Sequence, residues 1–376
     1  MDKYFKAIDR DKWVRNPQWP AFNGVVNTIQ MVYAVFEDEV NHFDLIITGT
    51  HTIDWGDGTI ETVPTFSHTY DYATLTAPVL VYSDGRNYKP IKVLVTLDID
   101  ETFTQLNISN TGNPNCLDCV VNVDTAVFPR TEYRLSVGQF NIFQERFKTN
   151  NVYGNVTISG RFADMSSLRV FDVPSNFFNN ASSFLSAFRY SGDRLELGDI
   201  THSGSDVTFM SNMFYVADVR KVGNITSNFV DGIQNFRFSG IREIGNYTHP
   251  ERDSMSSEFN SSKLEKIGII DAPKLTIASN MFERCYVKDV VFTDCSLITN
   301  TSNMFRFTQS VKKLIMPGLT VGLSINGNSM MAYALDEFMT SVGTADGSQT
   351  LDLRNNPGSS TCDPTIATAK GFTVLT

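Results

Sequence analysis

Apolar positions recur along the second half of this chain with a period in the low twenties. Phe188, Phe214, Phe236, Phe259, Phe282, Phe305 and Met331 lie 26, 22, 23, 23, 23 and 26 residues apart. Ser-Asn-Met-Phe stands at three of these anchors, at 211–214, 279–282 and 302–305. Shortly after most anchors, two apolar residues flank a polar doublet: Val-Arg-Lys-Val at 219–222, Ile-Arg-Glu-Ile at 241–244, Leu-Glu-Lys-Ile at 264–267, Val-Lys-Asp-Val at 287–290 and Val-Lys-Lys-Leu at 311–314. A unit of this length cannot bury its apolar side alone, so the period predicts a solenoid whose stacked coils share one core. Each coil is expected to hold a short strand, a crossing, and a Phe that plugs the interior. Ile269, Phe292 and Met316 extend the inward face in three coils. Ser or Asn of the tetrad is placed to cap one helical turn.

The flanking segments have other patterns. Residues 329–376 are expected to form a helix and a C-terminal cap. Met331, Leu335, Phe338, Met339 and Val342 fall on one helical face, with Ser329 to cap the start and Gly343 to end it. The regular repeats occupy 166–328. Residues 101–165 carry short apolar segments at 106–108, 120–123, 133–137 and 156–158, read as irregular β coils that start the solenoid; 167–170 and 194–197 bring the chain into register. Residues 29–100 read as a small antiparallel β domain with strands at 31–36, 43–48, 79–82 and 91–99. Residues 1–28 form an arm in which Pro17 and Pro20 disfavour a helix. Its Trp13 and Trp19 either pack on the chain's own next domain or anchor it to another subunit.

Two stretches resemble known families. Trp55-Gly56-Asp57-Gly58-Thr59 followed by His68-Thr69-Tyr70 resembles the PKD-like β-sandwich family. Asp57-Gly58 suits a tight turn, and Trp55 can cover the open end of a small core. Asp54 and Asp57 fall short of the six to eight oxygens that calcium takes, so turn hydrogen bonding is the preferred role for both. Met281-Phe282-Glu283-Arg284-Cys285 resembles the turn of BspA-like leucine-rich repeats; the copies at Phe214, Phe259 and Phe305 lack the Cys, and strand positions favour Val and Ile over Leu. The expected fold is therefore mainly β: a small PKD-like β-sandwich, then a leucine-rich-repeat-like solenoid with a C-terminal helix and cap.

Charge and chemistry narrow the function. A formal net charge of −10 argues against nonspecific nucleic-acid binding, which needs basic surface. The polar N-terminus has no signal-peptide h-region and no run reaches transmembrane length, so synthesis in a cytoplasm without general secretion, and no membrane insertion, are expected. Five Cys make no disulfide framework, and Cys116 and Cys119 lack the second pair a zinc site needs. Cys285 and Cys295 read as buried apolar residues. None of the five His has metal-ligand spacing, and no nucleophile elbow, phosphate loop or zincin motif occurs. No enzyme activity and no cofactor are expected. The strand doublets hold seven basic residues against three acidic ones. Arg220, Lys221, Arg242, Lys266, Lys288, Lys312 and Lys313 are thus a candidate partner-binding strip for an acidic glycan or a protein, set against the alternative of a solvated face. Lys221, Glu243, Lys266, Asp289 and Lys313 alternate in sign and are predicted to form one line on the open sheet face.

An aromatic arm, a Trp-Gly-Asp-Gly module and a solenoid in this order resemble the modular virion proteins of tailed bacteriophages. The closing Asn-Asn-Pro-Gly and Ala-Lys-Gly-Phe-Thr-Val segments add to the likeness. The resemblance implies a non-enzymatic structural protein of the virion, a tail fibre or similar appendage. It would attach to other virion proteins through its N-terminal region, assemble as a homo-oligomer, and display the solenoid to a host glycan or protein. A bacterial cell-surface adhesin and a polysaccharide-cleaving tailspike are the alternatives.

Overall fold

In a computed structural model the chain is mainly β, with a solenoid of about 8 turns and helices near the C-terminus. The structure describes residues 15–47, 49–62, 67–98, 105–109, 116–123, 130–134, 146–149, 152–153, 162–163, 168–179, 184–192, 195–202, 211–228 and 234–376. Trp13, the segment 156–158, and parts of those at 133–137, 167–170 and 194–197 lie outside the described residues. The chain forms two units: residues 1–155, 160–180 and 191–195 in the first, and 156–159, 181–190 and 196–376 in the second.

The first unit is organised on the strand Thr28–Phe36. Its near-continuous apolar run suits a strand covered on both faces, and all nine residues are buried. It pairs antiparallel with Asn87–Leu97 on one side and Cys116–Asn122 on the other. On one face Tyr33 stacks on Phe43 and Tyr70 of a second sheet, at 4.7 and 5.2 Å between ring centres. On the other face Val32, Ala34 and Phe36 pack with Leu80, Tyr88, Leu117 and Trp19 of the arm. The Trp19 indole N–H donates to the Tyr88 hydroxyl at 2.8 Å. Arg15 ties the arm down further: it donates to the fully buried Asp118 at 2.7 Å and lies over the Phe22 ring. Arg146 donates to the other oxygen of Asp118 at 2.7 Å, so the buried carboxylate is paired on both sides, as burial requires.

The sandwich extends past residue 100, where the sequence had suggested its end. Gln105–Ser109 is antiparallel to Asn41–Ile47, and Cys116–Asn122 to Thr28–Phe36. The same two strands take parallel partners on their other edges, Arg130–Arg134 and Arg146–Thr149, and Val170–Asp172 follows in parallel on the latter. No tight hairpin turn joins them to their antiparallel partners, so nothing local in the sequence announces that pairing.

The turn at 54–59 is built as its residues dictate. Gly56 has φ +80, and a Cβ there would meet the Lys92 carbonyl at 2.3 Å. Asp54 accepts from the Gly56 N–H at 2.9 Å, and Asp57 from the Thr59 N–H at 3.0 Å and His68 at 2.7 Å. Burial acts to raise the Asp57 pKa, but His68 and the Thr59 N–H outweigh it and hold the carboxyl below its ordinary value. Trp55 is fully buried and stacks on His68 at 4.8 Å.

In the second unit the repeated phenylalanines form a single stack. Phe188, Phe214, Phe236, Phe259, Phe282 and Phe305 are buried, and successive ring centres lie 5.3, 5.0, 5.4, 5.3 and 5.5 Å apart. Spacing near the parallel-strand repeat lets each ring cover the next. Three residues after each Phe from Phe214 onward stands a small buried side chain: Ala217, Ser239, Ser262, Cys285, Thr308. The Cys285 thiol sits 2.7 Å from the Phe259 carbonyl, one coil back, and the Thr308 hydroxyl donates likewise to the Phe282 carbonyl. Small size is thus what this position selects, with Cys as one solution. At the corner after each strand, an Asp or Asn side chain accepts backbone N–H groups from the next coil: Asp199 from Asn224, Asn224 from Asn246, Asn246 from Ile269. Gly245 fits there because a Cβ would lie 2.6 Å from the Asn224 oxygen.

Three expectations are corrected. The Ser-Asn-Met-Phe tetrad caps no helical turn. Asn212, Asn280 and Asn303 themselves adopt left-handed φ near +55, and alternate N–H groups of the turn donate to the next coil, as Asn280 does to Ser302 and Phe282 to Met304, both at 2.9 Å. Ile269 is exposed and Ile270 buried in its place, because the Asn246 side chain holds the Ile269 N–H at the corner and shifts the inward register by one. The helix runs Ala332–Ser341 without a side-chain cap; the Ser329 hydroxyl donates instead to the Gln309 carbonyl. Met331 is 52% exposed, and Met330 fills the interior. Leu335, Phe338, Met339 and Val342 are buried as their spacing predicts. Leu323–Ser324, Thr350–Asp352 and Thr373–Leu375 close the end as a small parallel sheet.

Candidate binding surfaces of the solenoid

The strand doublets lie outward, as their flanking buried residues require. Lys221 is in register with Glu243 and Glu243 with Lys266; Asp289 is in register with Lys313. All five are exposed. The strip is closely paired with carboxylates. Lys221 lies 3.7 Å from Glu243, Arg242 and Lys288 each 3.3 Å from Glu265, Lys313 3.2 Å from Glu337, and Arg220 4.0 Å from Glu196. Among the described residues, Lys266 and Lys312 of the seven have no carboxylate within 4 Å. The result is a ladder of short-range pairs with little net field, each of small energetic weight in water.

A second line runs beside it, at the turn that follows each Phe plug. Two residues after each plug the backbone is again left-handed, at Tyr190, Val216, Phe238, Ser261, Arg284 and Phe307, with φ from +56 to +59. The geometry follows from stacking, since it aims the N–H at the next coil: Tyr190 to Tyr215, Phe238 to Asn260, Ser261 to Glu283, Arg284 to Arg306. An L-residue pays about 1–2 kcal/mol for this conformation, which Gly or Asn would reduce. The chain instead places bulky side chains here and leaves them in water: Val216 is 41%, Phe238 44% and Phe307 57% exposed. Arginines cover the rings. Arg189 lies 4.6 Å from the Tyr190 ring centre, Arg237 4.8 Å from Phe238, and Arg306 4.7 Å and Arg284 5.2 Å from Phe307. Tyr215 bridges Tyr190 and Phe238 edge-on, at 6.3 and 5.9 Å. Among the described residues, Arg237, Arg284 and Arg306 make no ion pair. Asn260, Ser261 and Glu283 interrupt the line, and the Glu283 carboxylate accepts from the Asn260 amide at 2.8 Å.

The polar groups nearest to catalytic form are inside. Ser227 and His249 are 2.7 Å apart, oxygen to Nδ1, and both are fully buried. Burial, then the charge of Arg252, keeps the His249 pKa well below its ordinary value. Beside them Glu258 occupies the position that Met281 and Met304 hold in later coils; it accepts from Asn235 at 2.8 Å, from Tyr247, and from Arg252 at 2.5 Å. Arg252 and Glu258 pair their charges in the core, where an unpaired charge would cost several kcal/mol.

The remaining sequence candidates fall elsewhere. Trp19 fills the core of its own unit. The five cysteines are buried free thiols, and burial raises the Cys285 pKa to about 12. Among the described residues no cluster of three His, Cys, Asp or Glu is placed to hold a metal, and no helix is long and apolar enough to cross a membrane. The Arg–aromatic line escaped the sequence pattern because its apolar members read as inward and its left-handed positions carry no Gly. Aligning the second residue after every Phe plug would have revealed a column of Tyr190, Val216, Phe238, Ser261, Arg284 and Phe307, bulky at every position but Ser261. Comparison with known proteins gives no match to a family model, a curated protein or a solved structure.

Proposed function

We propose that the chain is a non-enzymatic structural protein of a phage virion, a tail fibre or similar appendage, that displays its solenoid for binding to a host or partner. It attaches to other virion proteins through its N-terminal region and works as a homo-oligomer. The observation that carries the binding role is the outward row of arginines and aromatic rings along the turn edge of the solenoid. The Ser227–His249 pair is sealed from solvent, whereas arginines and aromatic rings stand outward in several coils, as at Arg237–Phe238 and Arg306–Phe307. Exposed large apolar side chains in a row mark an interaction surface. The virion assignment itself rests on the modular resemblance. An antibody raised against the purified chain tests it: the antibody should decorate purified phage particles and block their adsorption to host cells. Decoration of the bacterial surface, with particles unlabelled, would replace the virion role by that of an adhesin.

A further inference from the structure

We infer that the Arg–aromatic line at the turn edge is a binding site for a linear acidic polysaccharide lying along the coils. This rests on the binding role just proposed and gives it a ligand class. The chemistry points there from three sides. First, the line repeats. One turn stands over the next at a strand spacing of about 4.8 Å, close to the advance of one sugar residue along an extended chain. A periodic surface one side chain wide matches a periodic ligand one ring wide. Second, the rings of Phe238 and Phe307 are exposed, with the half-buried rings of Tyr190 and Tyr215 in the same line, and sugar rings offer C–H faces that pack on the ring surface the arginines leave open. Third, the cations are guanidiniums. Arg237, Arg284 and Arg306 are without a carboxylate partner among the described residues, and the fork of Arg takes a carboxylate by two parallel hydrogen bonds.

The strained backbone gives an independent reason. Left-handed φ at Val216, Phe238 and Phe307 costs stability that Asn at the same positions would recover, yet the bulk is kept and exposed. Packing inside the chain accounts for only part of it, because 41% of Val216, 44% of Phe238 and 57% of Phe307 stay exposed. A ligand that covers them accounts for the rest. The chain's overall charge of −10 repels polyanions in general, so attraction has to be local, and this line is where arginines stand without partners. The neighbouring strand strip lacks that quality, since most of its cations are already paired.

The test uses the full chain on an immobilised panel of uronic- and sialic-acid polysaccharides, with neutral dextran and polyglutamate as comparisons. Retention on at least one acidic polysaccharide, weakening with salt and absent on dextran, is expected. Arg284→Gln with Arg306→Gln should weaken it about tenfold or more, the loss of two charge-assisted contacts. Phe238→Asn with Phe307→Asn should weaken it similarly while raising thermal stability, because Asn suits the left-handed backbone; this variant separates lost contacts from lost fold. Lys266→Gln with Lys312→Gln should change it less than about twofold. No retention on any acidic polysaccharide, retention on polyglutamate alone, or equal loss from the strip and edge variants would overturn the site. Shortening of a retained polymer would leave the site standing and instead refute the non-enzymatic role.

Discussion

Two lines of side chains run along the solenoid about four residues apart in most coils, and they have solved the problem of exposure in opposite ways. The strand strip alternates sign, and its cations find carboxylates one coil away: Arg242 and Lys288 share Glu265, and Lys221 meets Glu243. The turn edge carries rings and arginines that meet each other, on a backbone held in a costly conformation. The strip closes its electrostatics within the protein, whereas the edge leaves donors and apolar faces open. A charged row on a repeat is therefore weak evidence for a binding site until its partners are known. An exposed aromatic that the backbone has to strain to present is stronger evidence.

The comparison can be broken at several depths. Both lines depend on the Phe stack beneath them, so Phe282→Ala should lower solenoid stability by about 3–5 kcal/mol and abolish polysaccharide retention with it; urea unfolding measures the first. Acid should act on the same interior more gently. His249 has a depressed folded pKa, so its contribution is present above the unfolded value near 6.5 and is lost as pH falls below it, by at most about 1.4 kcal/mol per pH unit. Thermal melts from pH 7.5 to 5 should show that decline, and His249→Gln should flatten it. On the edge itself, Val216→Gly should stabilise the solenoid by about 1 kcal/mol, since a β-branched residue gives up a left-handed position; an unchanged or lower denaturation midpoint would remove the strain from the account. On the strip, Glu265→Gln should cost no more than about 1 kcal/mol even though it frees two cations, and salt should erase most of that cost.

Much of this architecture was legible in the sequence, and the misses share a cause. The Phe period declared both the stack and the coil length, because a buried ring at every turn is a strong repeated constraint. The alternating charges declared the strand register, which Lys221, Glu243 and Lys266 keep. Met331 and Ile269 were misplaced by one residue, in each case where a turn shifts the register: at Ile269 the Asn246 side chain decides it, and hydropathy is blind to that hydrogen bond. The antiparallel pairing of Gln105–Ser109 and Cys116–Asn122 was missed because it joins segments far apart in the chain. Glu258 and Arg252 gave no signal at all; a buried ion pair and a surface one are written with the same letters. The edge was missed for a similar reason, since Phe238 and Phe307 look like core residues until the left-handed turn turns them outward.

Hydroxyl-radical footprinting of the full chain, with and without a retained acidic polysaccharide, probes the division between the two lines most directly. The account predicts that oxidation of Tyr190, Tyr215, Phe238 and Phe307 falls several-fold on binding, while Tyr333, 73% exposed on the C-terminal helix, is oxidised as before. Unprotected edge rings, or protection confined to Tyr333, would contradict it.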